Sequence, residues 1–460
     1  MNTIAGLCGY IVVIAFAVYT LFCFTVFKRK DKERQNRVFV RQRVCIFVMH
    51  FVCHALLYMI DYNVEVIFMY AVQVVLFLLC IHIYQIIYKG LSKLVLNNMI
   101  MLIMISFVMM ERIKTEYAFR QMFMFAAGMA ACLLVPYIIK KFKYFDILGW
   151  YYAAAGIAFL ALLLVFGVEK HGAKNWLSVG GVLIQPLEFV KILYVFFMAA
   201  VLSKAVNFKR VVIISAAAAV HVLILVLEKD LGGALIYFFT YLIVLVIATG
   251  NIWYLLAGMA GGASASVVAY QLFAHVRNRV AAWKDPWSVI DNAGYQVAQS
   301  LFAIAAGGWF GLGLGRGLPG IIPVVESDFI FSAMAEELGG IFVICILLVY
   351  ISCFIMVVNI SMKMTNTFYK LTAAGLGVMF IFQVFVAVGG VTKFIPSTGV
   401  TLPLISYGGS SVISTVLMFS IIQGMYVLNK SEVDKNENLR EAVLRESGIS
   451  GQKSKRKEKY

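Results

Sequence analysis

Acidic and basic residues are scarce in this sequence, and a few stand where they can act together. In GVLIQPLEFVKIL, Glu188 and Lys191 lie three residues apart just after Pro186. Proline suits a helix start, so the two side chains share one helical face and can neutralise each other. They read as a structural ion pair at a membrane edge or as part of a site. In LEKDLGG, Glu228, Lys229 and Asp230 precede Gly232 and Gly233. Asp230 is placed to cap the next helix and is also a candidate for substrate binding. In HVRNRVAAWKDPW, Arg277 and Arg279 precede Trp283 and Trp287. Arginines at headgroup depth either snorkel or grip phosphates with a planar fork. In VVESDFIFSAMAEELGG, Glu326 and Asp328 stand at the mouth of an apolar stretch, with Glu336 and Glu337 about two turns deeper. Asp328, four residues before Ser332, is expected to share its helical face. A helix cap at Ser327 or Asp328 is the plainer use of that spacing.

Other patterns carry less chemistry. GGWFGLGLGRG (307–317) contains a GxGxxG-like run, but no strand precedes it and a dinucleotide reading fails. A plain flexible loop or a backbone anion nest near Arg316 are the alternatives. His50 and His54 have ligand spacing without an evident third ligand. The eight cysteines all lie in apolar stretches with no CxxC, so they read as small buried hydrophobes and indicate neither disulfides nor zinc.

The elements that position these residues follow from composition. Of 460 residues, 62% are hydrophobic and 13% charged. Soluble domains have about 45–50% and 25%. Disorder, collagen, coiled coil and a soluble fold are excluded, leaving an all-α polytopic integral membrane protein. A helix needs about 20 apolar residues to cross the bilayer. Thirteen stretches qualify: 6–27, 44–60, 64–88, 94–110, 121–139, 146–167, 185–203, 211–227, 231–249, 252–273, 330–358, 369–390 and 404–428. The weakest is 94–110, short and carrying Asn97 and Asn98.

With the N-terminus outside, the inner connections hold 27 Lys and Arg and the outer ones 11, as the positive-inside rule expects. The +16 net charge is therefore topogenic, with some of it available to membrane lipids and no nucleic acid implied. The first stretch lacks a basic leader and runs into Lys28, Arg29 and Lys30, so it reads as an anchor. Residues 429–460 read as a basic, solvated cytoplasmic tail. Two outer segments are irregular: the long loop 274–329, with the short apolar piece 295–306, and the Pro- and Gly-containing 392–411. Irregular backbone at that depth survives only inside protein or against a wet cavity, so a site is expected to open outward.

Six stretches, KHGAKNW (170–176), QPLEFVK (185–191), KDLGGAL (229–235), WKDPW with GYQVAQS (283–300), ESDFIFSAMAEELG (326–339) and STGVTLPLISYGGSS (397–411), appear in an order that resembles the SEDS family of shape, elongation, division and sporulation proteins, the RodA/FtsW/SpoVE type. The resemblance covers roughly 94–428 and implies a ten-span SEDS-like core with both termini inside. It leaves 1–93 as three extra N-terminal spans. Leu187 replaces the usual Ser, and Glu228-Lys229 the common Gln-Pro.

The resemblance implies a peptidoglycan glycosyltransferase of the bacterial cytoplasmic membrane that polymerises lipid II on the outer face beside a class B penicillin-binding protein. The essential family aspartate falls on Asp328, and its functional Glu and Lys on Glu188 and Lys191. Asp230, Gln296, Gln299, Ser406, Gly408 and Gly409, all in matching motifs, become substrate-binding candidates. A carboxylate at the mouth can take the acceptor hydroxyl proton. Arg277, Arg279 and Lys191, or a divalent cation such as Mg or Mn, can offset the pyrophosphate leaving group. A lipid II flippase and a non-catalytic divisome scaffold remain the alternatives.

Overall fold

The computed structural model describes residues 2–446 apart from 30, 171, 172, 181, 206 and 293. The tail beyond 446, and two residues of the KHGAKNW motif, lie outside the described residues. Sixteen α-helices are present: α1 (Asn2–Lys28), α2 (Lys32–Asp61), α3 (Val64–Ile87), α4 (Lys93–Ile113), α5 (Thr115–Cys132), α6 (Val135–Lys141), α7 (Gly149–Phe166), α8 (Leu187–Leu202), α9 (Phe208–Leu227), α10 (Leu231–Thr249), α11 (Trp253–Leu272), α12 (Ala274–Lys284), α13 (Tyr295–Gly307), α14 (Ile330–Lys363), α15 (Thr367–Val391) and α16 (Gly409–Glu446). In lipid every backbone N–H and C=O needs an internal partner, which is why apolar runs fold as helices.

Among the described residues, twelve segments are long and apolar enough to cross a membrane, with α5 and α6 counted as one. The thirteenth expected stretch, 185–203, forms α8, which has only 16 residues. That is about 24 Å of helix, against a hydrocarbon core of about 30 Å. Pro186 and a strand just before it delay the helix start. A small antiparallel sheet, absent from the sequence-based reading, fills the 166–187 connection. Its strands β1 (Val168–Lys170), β2 (Ala173–Val179) and β3 (Val182–Ile184) run in the order β1-β2-β3.

The stretch that looked weakest lies deepest: the membrane-length window of α4 is wholly buried. Its asparagines are satisfied from other helices. Tyr19 donates to Asn98 Oδ1 at 2.8 Å, and Asn98 Nδ2 donates to Ser352 Oγ at 3.3 Å. Asn97 Nδ2 donates to Gln42 Oε1 at 3.0 Å. These bonds tie α1 and α2 to the core pair α4 and α14. The third extra helix repairs a break. The chain leaves the α5 helix at Leu133, whose N–H donates to Ala130 O rather than Met129 O, and the hydroxyls of Tyr84 in α3 and of Tyr88 just after it donate to Met129 O and Leu133 O. By contrast, α11 has no buried residue and packs on α10 and α12.

Candidate active site

The Glu188–Lys191 pair forms as its spacing predicts, in the first turns of α8. Lys191 Nζ donates to Glu188 Oε2 at 2.6 Å, and both side chains are buried. Burying two opposite charges is tolerable only when their remaining lone pairs and protons find partners. Here Ser414 of α16 donates to the same Glu188 oxygen at 2.7 Å, and Lys191 donates to Gln383 Oε1 of α15 at 3.1 Å. Gln383 Nε2 in turn donates to Thr401 O at 3.0 Å. The pair thus fastens α8 to two other helices and to the irregular 392–408 segment. Neither Gln383 nor Ser414 was among the candidates. Gln383 had a readable signal, as a lone polar residue in an apolar span.

A cavity of about 40 Å³ opens beside this pair, with Gln185, Asp230, Gly399 and Thr401 on its wall. That volume holds water but no sugar ring.

Asp328 lies in the turn before α14, not on the helix with Ser332. Its N–H donates to Val324 O, and Ser327 Oγ donates to Asp328 Oδ1 at 3.0 Å. Ser332 is instead buried against Ser300 of α13, at 2.6 Å. The 392–408 segment closes over this turn. Ser406 Oγ donates to Ser327 O at 2.5 Å and Tyr407 N to Glu326 O at 2.8 Å. A Cβ added at Gly399, whose φ is +71°, would come within 3.2 Å of Asp328 Oδ2, so glycine keeps that approach open. Four non-glycine residues with positive φ, Lys229, Val324, Lys393 and Leu404, lie in the segments that build the site. Such strain gathers where surrounding structure over-determines the backbone.

Arg277 and Arg279 part company. Residues two apart on a helix face different sides, and α12 sends Arg277 outward to donate to Gln271 O at 2.7 Å. Arg279 turns inward, donates to Ser397 O at 3.2 Å, and lies in the field of both Asp230 and Asp328. Burial pulls its guanidinium down and the two carboxylates push it back up.

Asp230 is the N-cap of α10. Gly233 N donates to Oδ1 and Asn175 Nδ2 to Oδ2, both at 2.7 Å. Asn175, from KHGAKNW, thereby ties the small sheet to the site. Burial pushes the Asp230 carboxyl up against these bonds and Arg279. The neighbouring Glu228 is 1% exposed, and among the described residues neither of its carboxylate oxygens has a hydrogen-bond partner. Burial, reinforced by Asp230, pushes it up to about 8.

The remaining candidates stand further off. Gln296 and Gln299 are half-buried on α13. Gly408 N donates to Gln121 Oε1 at 3.2 Å, and Gly409 packs on Met124, so the YGGSS turn rests on α5. Among the described residues, no three His, Cys, Asp or Glu side chains gather as metal ligands. His50 Nε2 pairs with Gln73 Oε1 at 2.8 Å.

The glycine-rich loop is an ordered nest that holds the chain's own carboxylates. Gly315 N and Gly317 N donate to the two oxygens of Glu337 at 2.9 and 3.2 Å, and Leu318 N donates to Glu336 Oε1 at 3.2 Å. Arg112 adds an ion pair to Glu337 at 3.0 Å. The loop backbone also mends α14, which breaks at Gly339 (φ +88°): Leu312 N and Gly313 N donate to Glu336 O and Glu337 O, and Gly340 N to Gly308 O.

The profile of the cell cycle protein family FtsW/RodA/SpoVE matches residues 85–431, beginning in the last turn of α3. Over 322 residues the chain is 38% identical to the peptidoglycan glycosyltransferase RodA of Mycobacterium tuberculosis, covering 66% of this chain and 69% of that one. Over 273 residues it is 33% identical to the probable peptidoglycan glycosyltransferase FtsW of Aliivibrio salmonicida, covering 57% and 68%. Among solved structures, a chain of a peptidoglycan synthase complex that coordinates polymerization and crosslinking superposes with a TM-score of 0.62 at 26% identity, covering 73% of this chain and 98% of that one. Thermus thermophilus RodA shares the fold, with a TM-score of 0.56 at 24% identity over 73% and 97%. With these motifs, this geometry and this extent of match, the chain belongs to the FtsW/RodA/SpoVE family, the SEDS proteins.

Proposed function

We propose that this multi-pass protein of the cytoplasmic membrane is a peptidoglycan glycosyltransferase that polymerises lipid II at the Asp328 mouth. The observation that carries the reading is that the irregular 392–408 backbone holds both neighbourhoods: Ser406 Oγ donates to Ser327 O, Ser397 O accepts from Arg279, and Arg279 lies in the field of Asp328. The GlcNAc 4-hydroxyl of the acceptor attacks the anomeric carbon of the donor MurNAc. A new C1–O4 bond forms, the C1–O bond to pyrophosphate breaks, and undecaprenyl pyrophosphate leaves with that electron pair. Asp328 takes the hydroxyl proton, and Arg279 offsets charge gathering on the leaving group. Direct displacement inverts the α-linked donor to a β-1,4 glycan.

Glu188 and Lys191 act from below. Their bonds fix α8 against Gln383 and Ser414 and so hold the Thr401 end of the covering segment. The small cavity beside them excludes a sugar, so the lipid-linked sugars engage the outer rim. Asp230 serves by setting the α10 start and the field at Arg279. The mechanism is written without a divalent cation: Asp328 lies in the field of the Arg279 guanidinium and Glu188 is already bonded to Lys191, so no step uses a metal. The likeness to a synthase complex supports pairing with a cross-linking transpeptidase of the class B penicillin-binding type.

Purified protein given lipid II in detergent tests the reading. Glycan chains on a gel are expected. Lipid II moved across proteoliposomes without chain formation would make it a flippase, and neither activity would leave a scaffold.

A further inference from the structure

The described chain has a larger cavity at the other end of α8. It measures about 230 Å³ and lies between the turn before α7, the last turn of α8 and the first turn of α9. Trp150, Ile213 and Ile214 give it an apolar wall, and Asp146, Lys204 and Arg210 are also on its lining. Trp150 and Ile213 are themselves well exposed, so the apolar wall continues onto the lipid-facing surface. Arg210 Nη1 donates to Ala205 O at 2.8 Å, which holds the guanidinium at the turn. Neither Asp146 nor Lys204 belongs to an ion pair among the described residues.

Its place and size point to what fills it. The cavity sits at the α8 end on the basic side of the sequence, taken as cytoplasmic, where the membrane-crossing helices end at headgroup level. Its volume lies below the about 300–1,000 Å³ of a site for a whole drug-sized ligand, so it suits a headgroup whose acyl chains stay in the bilayer.

We propose that this cavity seats the headgroup of a phosphatidylethanolamine from that leaflet, with Lys204 and Arg210 on the phosphate, Asp146 on the ammonium, and the glycerol end against Trp150 and Ile213. A planar guanidinium and a point-charge ammonium are the usual pair for phosphate. The lone carboxylate selects a headgroup that carries its own cation. The site stands apart from the Asp328 mouth and does not depend on the polymerase reading.

Native mass spectrometry of the detergent-purified full chain, titrated with phosphatidylethanolamine or with diacylglycerol, tests it. The wild type should retain phosphatidylethanolamine well above diacylglycerol. Lys204→Gln with Arg210→Gln should lower that retention about tenfold or more, while Asp146→Asn should weaken phosphatidylethanolamine and spare phosphatidylglycerol. Lys204 and Arg210 are exposed and Asp146 is half-buried, and an unchanged thermal midpoint in each variant separates lost binding from lost fold. Quenching of Trp150 by brominated acyl chains, absent in Trp150→Phe, is the second readout. Retention unchanged in the double variant, or diacylglycerol held as well as phosphatidylethanolamine, would overturn the proposal. Displacement by inorganic phosphate would place a free anion there and overturn it too.

Discussion

Two regions at the same end of the molecule set carboxylates against glycine-bearing irregular backbone, and they end differently. At Glu336 and Glu337, the 307–318 loop turns its amides inward. It consumes the acidic oxygens, apart from Glu336 Oε2, and mends the break at Gly339. At Asp328, the 392–408 segment bonds to the backbone around the acid and leaves a glycine beside it, a guanidinium nearby and a small cavity below. Both regions are acidic and glycine-bearing in sequence. What separates them is which groups meet the carboxylates: loop amides and Arg112 at Glu336 and Glu337, a neighbouring hydroxyl and the field of Arg279 at Asp328.

That contrast can be broken from either side. The largest effect belongs to Gly339→Ala. The added Cβ would lie 2.4 Å from Gly311 N at a φ of +88°, so backbone must move. A loss of about 3 kcal/mol or more is expected, read as a collapsed yield of monodisperse protein. Glu337→Gln should come close behind. It leaves Arg112 with only its bond to Gly317 O at the loop, costing about 1–3 kcal/mol, with near-normal polymerisation per folded molecule. If it abolished activity in folded protein, the loop would belong to the chemistry after all.

The open side predicts the reverse pattern. Arg279→Ala should cut polymerisation by about 10²-fold at nearly unchanged thermal midpoint, while Arg277→Ala stays near the wild type. Equal losses from both would mean that general surface charge, not the Arg279–Asp328 geometry, is at work. The smallest effect concerns Glu228, whose folded carboxyl is raised from 4.5 to about 8. The folded state therefore binds a proton that the unfolded state releases, and stability falls as pH rises across that window. Glu228→Gln should flatten this slope and raise the thermal midpoint at pH 9. A slope that survives the substitution would assign it to another group.

The helices were legible because a bilayer demands about 20 apolar residues wherever the chain crosses. The depth of α4 was not, since Asn97 and Asn98 look costly until Tyr19, Gln42 and Ser352 arrive from sequence-distant helices. The small sheet left a signal in the sequence, where the glycine-bearing HGA and VGG stretches interrupt short β-prone runs. In the site, local spacing gave the Glu188–Lys191 pair and the Asp230 cap, both made within one or two turns. It could not separate Arg277 from Arg279 in function, although an i, i+2 relation on a helix already sends them apart. Gln383 and Ser414 required knowing which helices surround α8.

The central claim is that Asp328 is the base, and the most direct measurement is lipid II polymerisation by purified Asp328→Asn, with Glu326→Gln as its neighbour control. Amide for carboxylate keeps the size of the side chain and one acceptor oxygen for the Ser327 hydroxyl, so the thermal midpoint should hold. The rate should fall about 10²–10⁴-fold, while Glu326→Gln stays near the wild type. A well-folded Asp328→Asn protein that makes glycan strands at near-normal speed would contradict the account.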